Sequence, residues 1–244
     1  IYEKSPFLIK VQKKNLKKNK VIWISKIKEL KKEPCIFIAN EFFDSIPIRQ
    51  FYKKQNIWFE KFVKIGAKKN YFFDRKTEIK KIEKKIQYQI SKNQDFIEYS
   101  EKGINYLKEI SQMIKKNMGG LLLIDYGYVD KKMKNTLQAV SNHKFSNILE
   151  NLGDSDITHN INFNLFEKIV KNEGGLKSEL TNQKKFLTKM GIEERAEIIS
   201  KKEKFLKKVD IYSRLHRLIN EKQMGNLFKV MLIKNKKNTF NLGF

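Results

Sequence analysis

The chain has 244 residues, three prolines, one cysteine and a formal net charge of +25. That length suits one large α/β domain; the lone Cys35 excludes a disulfide framework or thiolate cluster, three scattered histidines give no metal motif, and no run approaches the ~20 apolar residues of a membrane-spanning helix. Only five of the 52 basic residues are arginine, so lysine carries the charge, as AT-rich coding produces; no specific nucleic-acid partner is expected, because such recognition favours the arginine fork.

Residues 1–3 read as the end of a strand running into a helix, with Ser5 as its cap, Pro6 at the first helical position and Phe7, Leu8, Val11 and Leu16 on one face. Residues 21–24, VIWI, form a second strand, and a short polar helix over 27–32 leads to a third at 35–39, CIFIA. That short apolar run suits a strand buried in a parallel sheet. It ends abruptly in Asn40, Glu41 and Asp44, polar groups delivered to the carboxyl edge, where open α/β sheets bind ligands. If the turn that follows is helical, Glu41 and Asp44 share a face and can reach one cation.

Beyond Pro47 the alternation of strand and helix stops. Residues 50–65, centred on Asn56, and 71–73 read as an antiparallel meander, and 77–92 as a helix with Ile79, Ile82, Ile86 and Ile90 at spacings of three and four. Residues 49–99 are therefore expected to be an insertion, a lid or substrate platform, within a single domain over 1–244. The alternation resumes with an amphipathic helix over 101–117, ended by Gly119 and Gly120, and a buried strand over 121–128, LLLIDYGY, carrying Asp125 and Tyr126 at its carboxyl end. If this strand neighbours 35–39, both sets of polar groups face one crevice.

Residues 131–161 have little periodicity and many polar residues, among them Thr136, Gln138, His143, Asp154, Asp156, Thr158 and His159, and are expected to be a functional loop. A helix over 163–172, a strand over 176–181, helices over 184–190, 193–208 and 211–219, and a strand over 227–233 complete the chain. Alternation of this kind predicts a parallel sheet with right-handed crossovers.

Six ordered blocks carry a resemblance: NEFFD at 40–44 with Pro47, Arg49, Gln50 and Phe51; LIDYG at 123–127; TLQAV at 136–140 with His143 and Phe145; DIT at 156–158 with Phe163; Gln183 with Phe186, Leu187, Gly191 and Ile192; and Met224 and Gly225 with Phe228, Lys229 and Val230. Over essentially its whole length the chain resembles the MidA-like family of class I S-adenosylmethionine-dependent methyltransferases, whose mitochondrial members are complex I assembly factors that methylate protein arginine. The resemblance implies a Rossmann-like α/β sheet, S-adenosyl-L-methionine as cofactor, and a protein substrate offering an arginine side chain on a respiratory complex I subunit or a similar protein. The compartment it implies is the bacterial cytoplasm, or the mitochondrion in a eukaryote. In that frame Glu3 closes the second strand and takes the cofactor's ribose hydroxyls, with Ser5 and Pro6 following it. The first strand and its glycine-rich GxGxG turn would lie upstream, so the chain reads as truncated at its amino terminus, without half of the cofactor site, and inactive alone. Asn162 stands where the family usually has Asp, which weakens any charge-based role there.

Methyl transfer from a sulfonium is an in-line displacement, so the protein has to align donor and nucleophile and exclude water. A guanidinium is a poor nucleophile because its lone pair is delocalised; two carboxylates gripping it hold charge on the nitrogens that do not react and leave the other better able to attack. Glu41 and Asp44 are read as that pair. Asn40 is read as facing the cofactor or orienting the substrate, Asp125 and Tyr126 as completing the cofactor-side wall, and His143 as a proton acceptor or loop anchor. Two other readings stay open: a non-catalytic assembly factor that uses the same surface to hold a partner, and a basic nucleic-acid-binding protein with Trp23, Trp58 or Tyr71 interleaved among its lysines.

Overall fold

The structure, a computed structural model, describes residues 1–30, 32–141, 144–150 and 152–244. Helix α1 (Pro6–Asn15) starts as expected, with Pro6 in its first turn and the Ser5 hydroxyl accepting the Leu8 N–H. The strand expected over 21–24 reduces to one parallel bridge between Ile24 and Tyr2. The helix expected over 27–32 is a single 3₁₀ turn, Ile27–Glu29, because so few residues ahead of Pro34 cannot propagate an α-helix. Strand β1 (Cys35–Asn40) follows.

Strands β2 (Arg49–Lys54), β3 (Ile57–Lys64), β4 (Tyr71–Lys76) and β5 (Phe96–Tyr99) form an antiparallel sheet in the order β4-β3-β2-β5. The β2–β3 hairpin turns on Gln55 and Asn56, both at positive φ (48° and 62°), the backbone twist that a two-residue hairpin requires. Helix α2 (Ile79–Ile86) stops short of the predicted 92. Gln87 adopts a left-handed conformation, and the Glu83 carboxylate accepts both the N–H and the hydroxyl of Ser91, folding the chain back so that Ile90 still enters the core.

Helix α3 (Glu101–Asn117), capped by Ser100, leads into β6 (Gly119–Tyr128), which pairs parallel with β1 from Cys35↔Gly119 to Asn40↔Ile124. Gly119 sits at φ 95°, and a Cβ there would collide with the Cys35 carbonyl. The segment expected to be a loop instead contains β7 (Gln138–Ser141), β8 (Lys144–Ser146) and β9 (Asp156–Thr158), a small antiparallel sheet in the order β8-β7-β9. Strand β10 (Ile161–Asn162) then pairs parallel with the last two residues of β6.

Helix α4 (Phe163–Glu173) precedes β11 (Leu176–Asn182), α5 (Gln183–Lys189), α6 (Ile192–Ser200), α7 (Phe205–Ile219), α8 (Met224–Leu227) and β12 (Phe228–Asn235). The helix predicted over 193–208 breaks at 201–204, and α7 begins at Phe205 rather than 211. The main sheet runs β1-β6-β12-β11, and β12 is antiparallel to both β6 and β11. The sheet is therefore mixed: β12 alone runs against the rest, while β11, antiparallel to β12, runs in the direction of β1, β6 and β10, so the parallel expectation fails only for β12, whose spacing along the chain carries no information on direction.

Burial follows the strand period of two. Leu121, Leu123 and Asp125 point to the face covered by Leu107, Ile114, Phe166 and Ile169 of α3 and α4, while Leu122, Ile124 and Tyr126 point to the other. On β1 that other face is open: Ile36 is 78% and Ile38 72% exposed, so a strand expected to be buried on both sides is buried on one.

Candidate active site

Asp125 belongs to the buried phase of β6, which carries its carboxylate to the end of the core instead of to solvent; its exposure is 0%. It organises the turn after β1. Its Oδ2 accepts the N–H groups of Phe43 (3.0 Å) and Asp44 (3.3 Å), and its Oδ1 accepts the N–H of Tyr126. Phe43 anchors the same turn from below, buried against Phe166 with ring centroids 5.2 Å apart. The turn is not helical, so the shared helix face does not exist; Glu41 and Asp44 approach each other because Asp125 and Tyr126 hold the turn at both ends.

Asp44 is 4% exposed, and its carbonyl accepts the His159 N–H at 3.2 Å. Burial, then the charges of Glu41 and Asp156, push its carboxyl up to about 6. Burial and the Asp44 charge push Asp125 up to about 7 against the three N–H donors that favour its ionised form. Asp44 Oδ1 is buried with no hydrogen-bond partner among the described residues. Glu41 sits at φ 46°, a strained position for a non-glycine residue; its N–H continues the ladder to Ile124 O, and its carboxylate accepts the Asn40 amide (3.2 Å) and the Tyr126 hydroxyl (3.3 Å). Burial and Glu41 push the Tyr126 hydroxyl up to about 12, which keeps it a donor.

Asn40, Glu41, Asp44, Asp125 and Tyr126 thus form one cluster. Glu3 and Ser5 sit at the start of α1, where Glu3 accepts the N–H groups of Lys4 and Ser5 and the Gln12 amide, bonds that hold its carboxyl below the usual range. Tyr2 links this corner to the cluster, its ring meeting Phe42 at 6.1 Å. A cleft of about 380 Å³ opens between Tyr2, Ile24 and β1, with Asn40 and Phe42 at one end. His143 lies outside the described residues.

Two neighbours were missed as site residues. Asp156 faces Asp44 because β9 is held against β7, and His159 is buried beside the Asp44 backbone, where desolvation takes its pKa down to about 4 and leaves it neutral. Both were visible as members of a polar segment, but nothing in that segment indicated the strands that bring the exposed Asp156 up to Asp44 and bury His159. Behind them, Glu98, buried on β5, accepts the Gln50 amide and the N–H and hydroxyl of Thr136, and the Thr136 hydroxyl in turn accepts the Asn160 N–H. This network ties the four-stranded sheet to the segment that carries Asp156 and His159. Among the described residues no group of three or more potential ligands has metal-binding geometry.

A mixed α/β sheet with a carboxylate cluster at the carboxyl ends of two parallel strands is the arrangement of a class I methyltransferase. Residues 1–181 match the family described as "Putative S-adenosyl-L-methionine-dependent methyltransferase", and the chain belongs to that family, in agreement with the MidA-like resemblance. It is similar to "Protein arginine methyltransferase NDUFAF7, mitochondrial" of Danio rerio (24% identity, 88% of this chain, 51% of the relative) and Homo sapiens (25%, 85%, 47%), and to the Caenorhabditis elegans homologue (29%, 72%, 42%). The chain spans about half the length of the curated relatives it matches. In fold it is similar to a crystal structure of an uncharacterised protein from Burkholderia thailandensis (TM-score 0.82, 21% identity, 100% of this chain, 67% of that chain). It is also similar to one from the same organism described as a likely methyl transferase bound to S-adenosyl-homocysteine (0.79, 21%, 100%, 65%).

Proposed function

We propose that the protein is an S-adenosyl-L-methionine-dependent arginine N-methyltransferase acting on a protein, with a respiratory complex I subunit as the first acceptor to test. The observation that carries this reading is an acidic site in a molecule of net charge +25: Glu41, Asp44, Asp125 and Asp156 converge at one sheet edge, and Asp44 Oδ1 is buried without a donor among the described residues. A guanidinium brings the positive charge that the cluster attracts, entering at the exposed Glu41 carboxylate and reaching Asp44 Oδ1 as the turn after β1 opens. Bound S-adenosyl-L-methionine would supply the electrophilic methyl group. Asp44 and Glu41 grip the acceptor and hold its charge away from the attacking nitrogen, Asn40 and Tyr126 keep the Glu41 carboxylate in place, and neutral His159 closes the far side of Asp44 to water.

Glu3 is proposed to take the cofactor's ribose. The glycine-rich turn is proposed to belong to a strand in the cleft between Tyr2, Ile24 and the unpaired edge of β1. No GxGxG run occurs in these 244 residues, and alone they are expected neither to bind cofactor measurably nor to turn over. The test is calorimetric titration of S-adenosyl-L-methionine into this chain and into the chain carrying that strand upstream, followed by mass spectrometry of arginine peptides. Binding by the second protein alone, with methylarginine formed, is the expected result. Cofactor binding without transfer to any arginine peptide would favour a non-catalytic assembly role, and absence of binding by both proteins removes the enzyme reading.

A further inference from the structure

Helices α6 and α7 form a hairpin whose turn, 201–204, joins two unusually apolar helix ends. At that end Ile198 is 74%, Phe205 76% and Leu206 81% exposed, and Val209 is half exposed; none of the four lines the cleft between the two helices. Helix α7 buries no residue along its 15 positions, so this surface is not spare core. Phe205, Val209 and the partly exposed Tyr212 recur at the spacing of one helical face.

Lysines are interleaved with these side chains. Lys201, Lys202, Lys204 and Lys208 have no ion-pair partner among the described residues, and Lys207 pairs with Glu203 at 2.7 Å. From 198 to 209 the segment IISKKEKFLKKV carries five lysines and one acid.

We propose that this hairpin tip is a peripheral membrane anchor that seats Phe205, Leu206, Ile198 and Val209 in the interface of an anionic lipid bilayer. The apolar side chains enter the headgroup boundary, and the lysines lay their stems along it with ammonium groups on the lipid phosphates. Charge complementarity selects the occupant: the apolar contact is ringed by unpaired cations, whereas a protein interface depletes lysine from its centre. Neither the carboxylate cluster nor methyl transfer enters the argument, so the tip can be tested apart from them.

The test is co-sedimentation of the whole chain with vesicles of phosphatidylcholine alone or mixed with phosphatidylglycerol, compared with the double variant Phe205→Ser/Leu206→Ser, which keeps the net charge. The substituted side chains are exposed, and circular dichroism checks the fold. The expected result is binding to the mixed vesicles that the double variant weakens about tenfold or more. A Leu206→Cys variant in a Cys35→Ser background, labelled with an environment-sensitive dye, should shift to the blue only with those vesicles. Equal binding by the double variant with no dye shift would mean general adsorption of lysines and would overturn the proposal, as would absence of binding by the unaltered chain. A dimer in sedimentation velocity that the double variant dissolves, without vesicle binding, would assign the tip to a second copy instead.

Discussion

Asp44 is costly where it stands. Its folded pKa of about 6, and that of about 7 for Asp125, lie above an exposed aspartate's, so the folded protein takes up protons before the unfolded chain does as pH falls. Stability from these groups is therefore fully present below about pH 4 and is lost as pH rises through their folded pKa values. The variant Asp44→Asn should be more stable than the parent at pH 7 by ~1–3 kcal/mol, with a flatter stability profile between pH 4 and 7 in urea melts. If Asp44 grips the acceptor, the same variant should lose methyl transfer by ~100-fold or more in the cofactor-competent protein, and acceptor affinity in the parent should rise with pH through about 6. Glu41 offers a second check. Asparagine tolerates positive φ better than glutamate, so Glu41→Asn should hold or raise stability by up to ~1 kcal/mol in the same melts while lowering kcat/KM. The sequence exposed these carboxylates through the abrupt end of an apolar run, but the strain at Glu41 and the burial of Asp44 depend on neighbours more than 80 residues away.

At the scale of elements, what the residue pattern left out was the small sheet of β7, β8 and β9. Its strands are three or four residues long, too short for a period of two to stand out, and they form because Glu98 of β5 anchors Thr136 at their root. Glu98→Ala would leave the Thr136 N–H and one N–H of the buried Gln50 amide, whose other N–H still reaches Asn135 Oδ1, without an acceptor. It should cost ~2–4 kcal/mol in chemical denaturation, with Asp156 and His159 displaced as read by chemical-shift changes at both. Helix ends show the same division. The Ser5 cap is made as expected, and Ser100 and Asn162, not named as caps from the sequence, obey the same local rule, whereas α2 ends where Glu83 captures Ser91, a contact that no helix period reveals.

For the molecule as a whole, β6 has partners on both edges and β1 on one. Native-state hydrogen exchange should accordingly be slowest in β6 and β12 and faster by about tenfold or more in the outward amides of β1, beside the open Ile36 and Ile38 face. Equal protection of β1 and β6 would mean that the β1 edge is covered in solution. If the buried Asp44 carboxylate binds the acceptor, that contact should survive added salt better than adsorption by the surface lysines, because a buried charge is screened less.

The amino-acid sequence by itself determined the α/β class, the family and the residues at the carboxyl ends of β1 and β6, because each rests on local apolar runs, caps and ordered motifs; that the two strands are neighbours came from the structure. Only the tertiary structure decided the reversed course of β12 between β6 and β11, the break between α6 and α7, the approach of Asp156 and His159 to Asp44, and the upward shifts of the two aspartates. Those depend on contacts between distant segments and on burial, which no stretch of sequence carries alone.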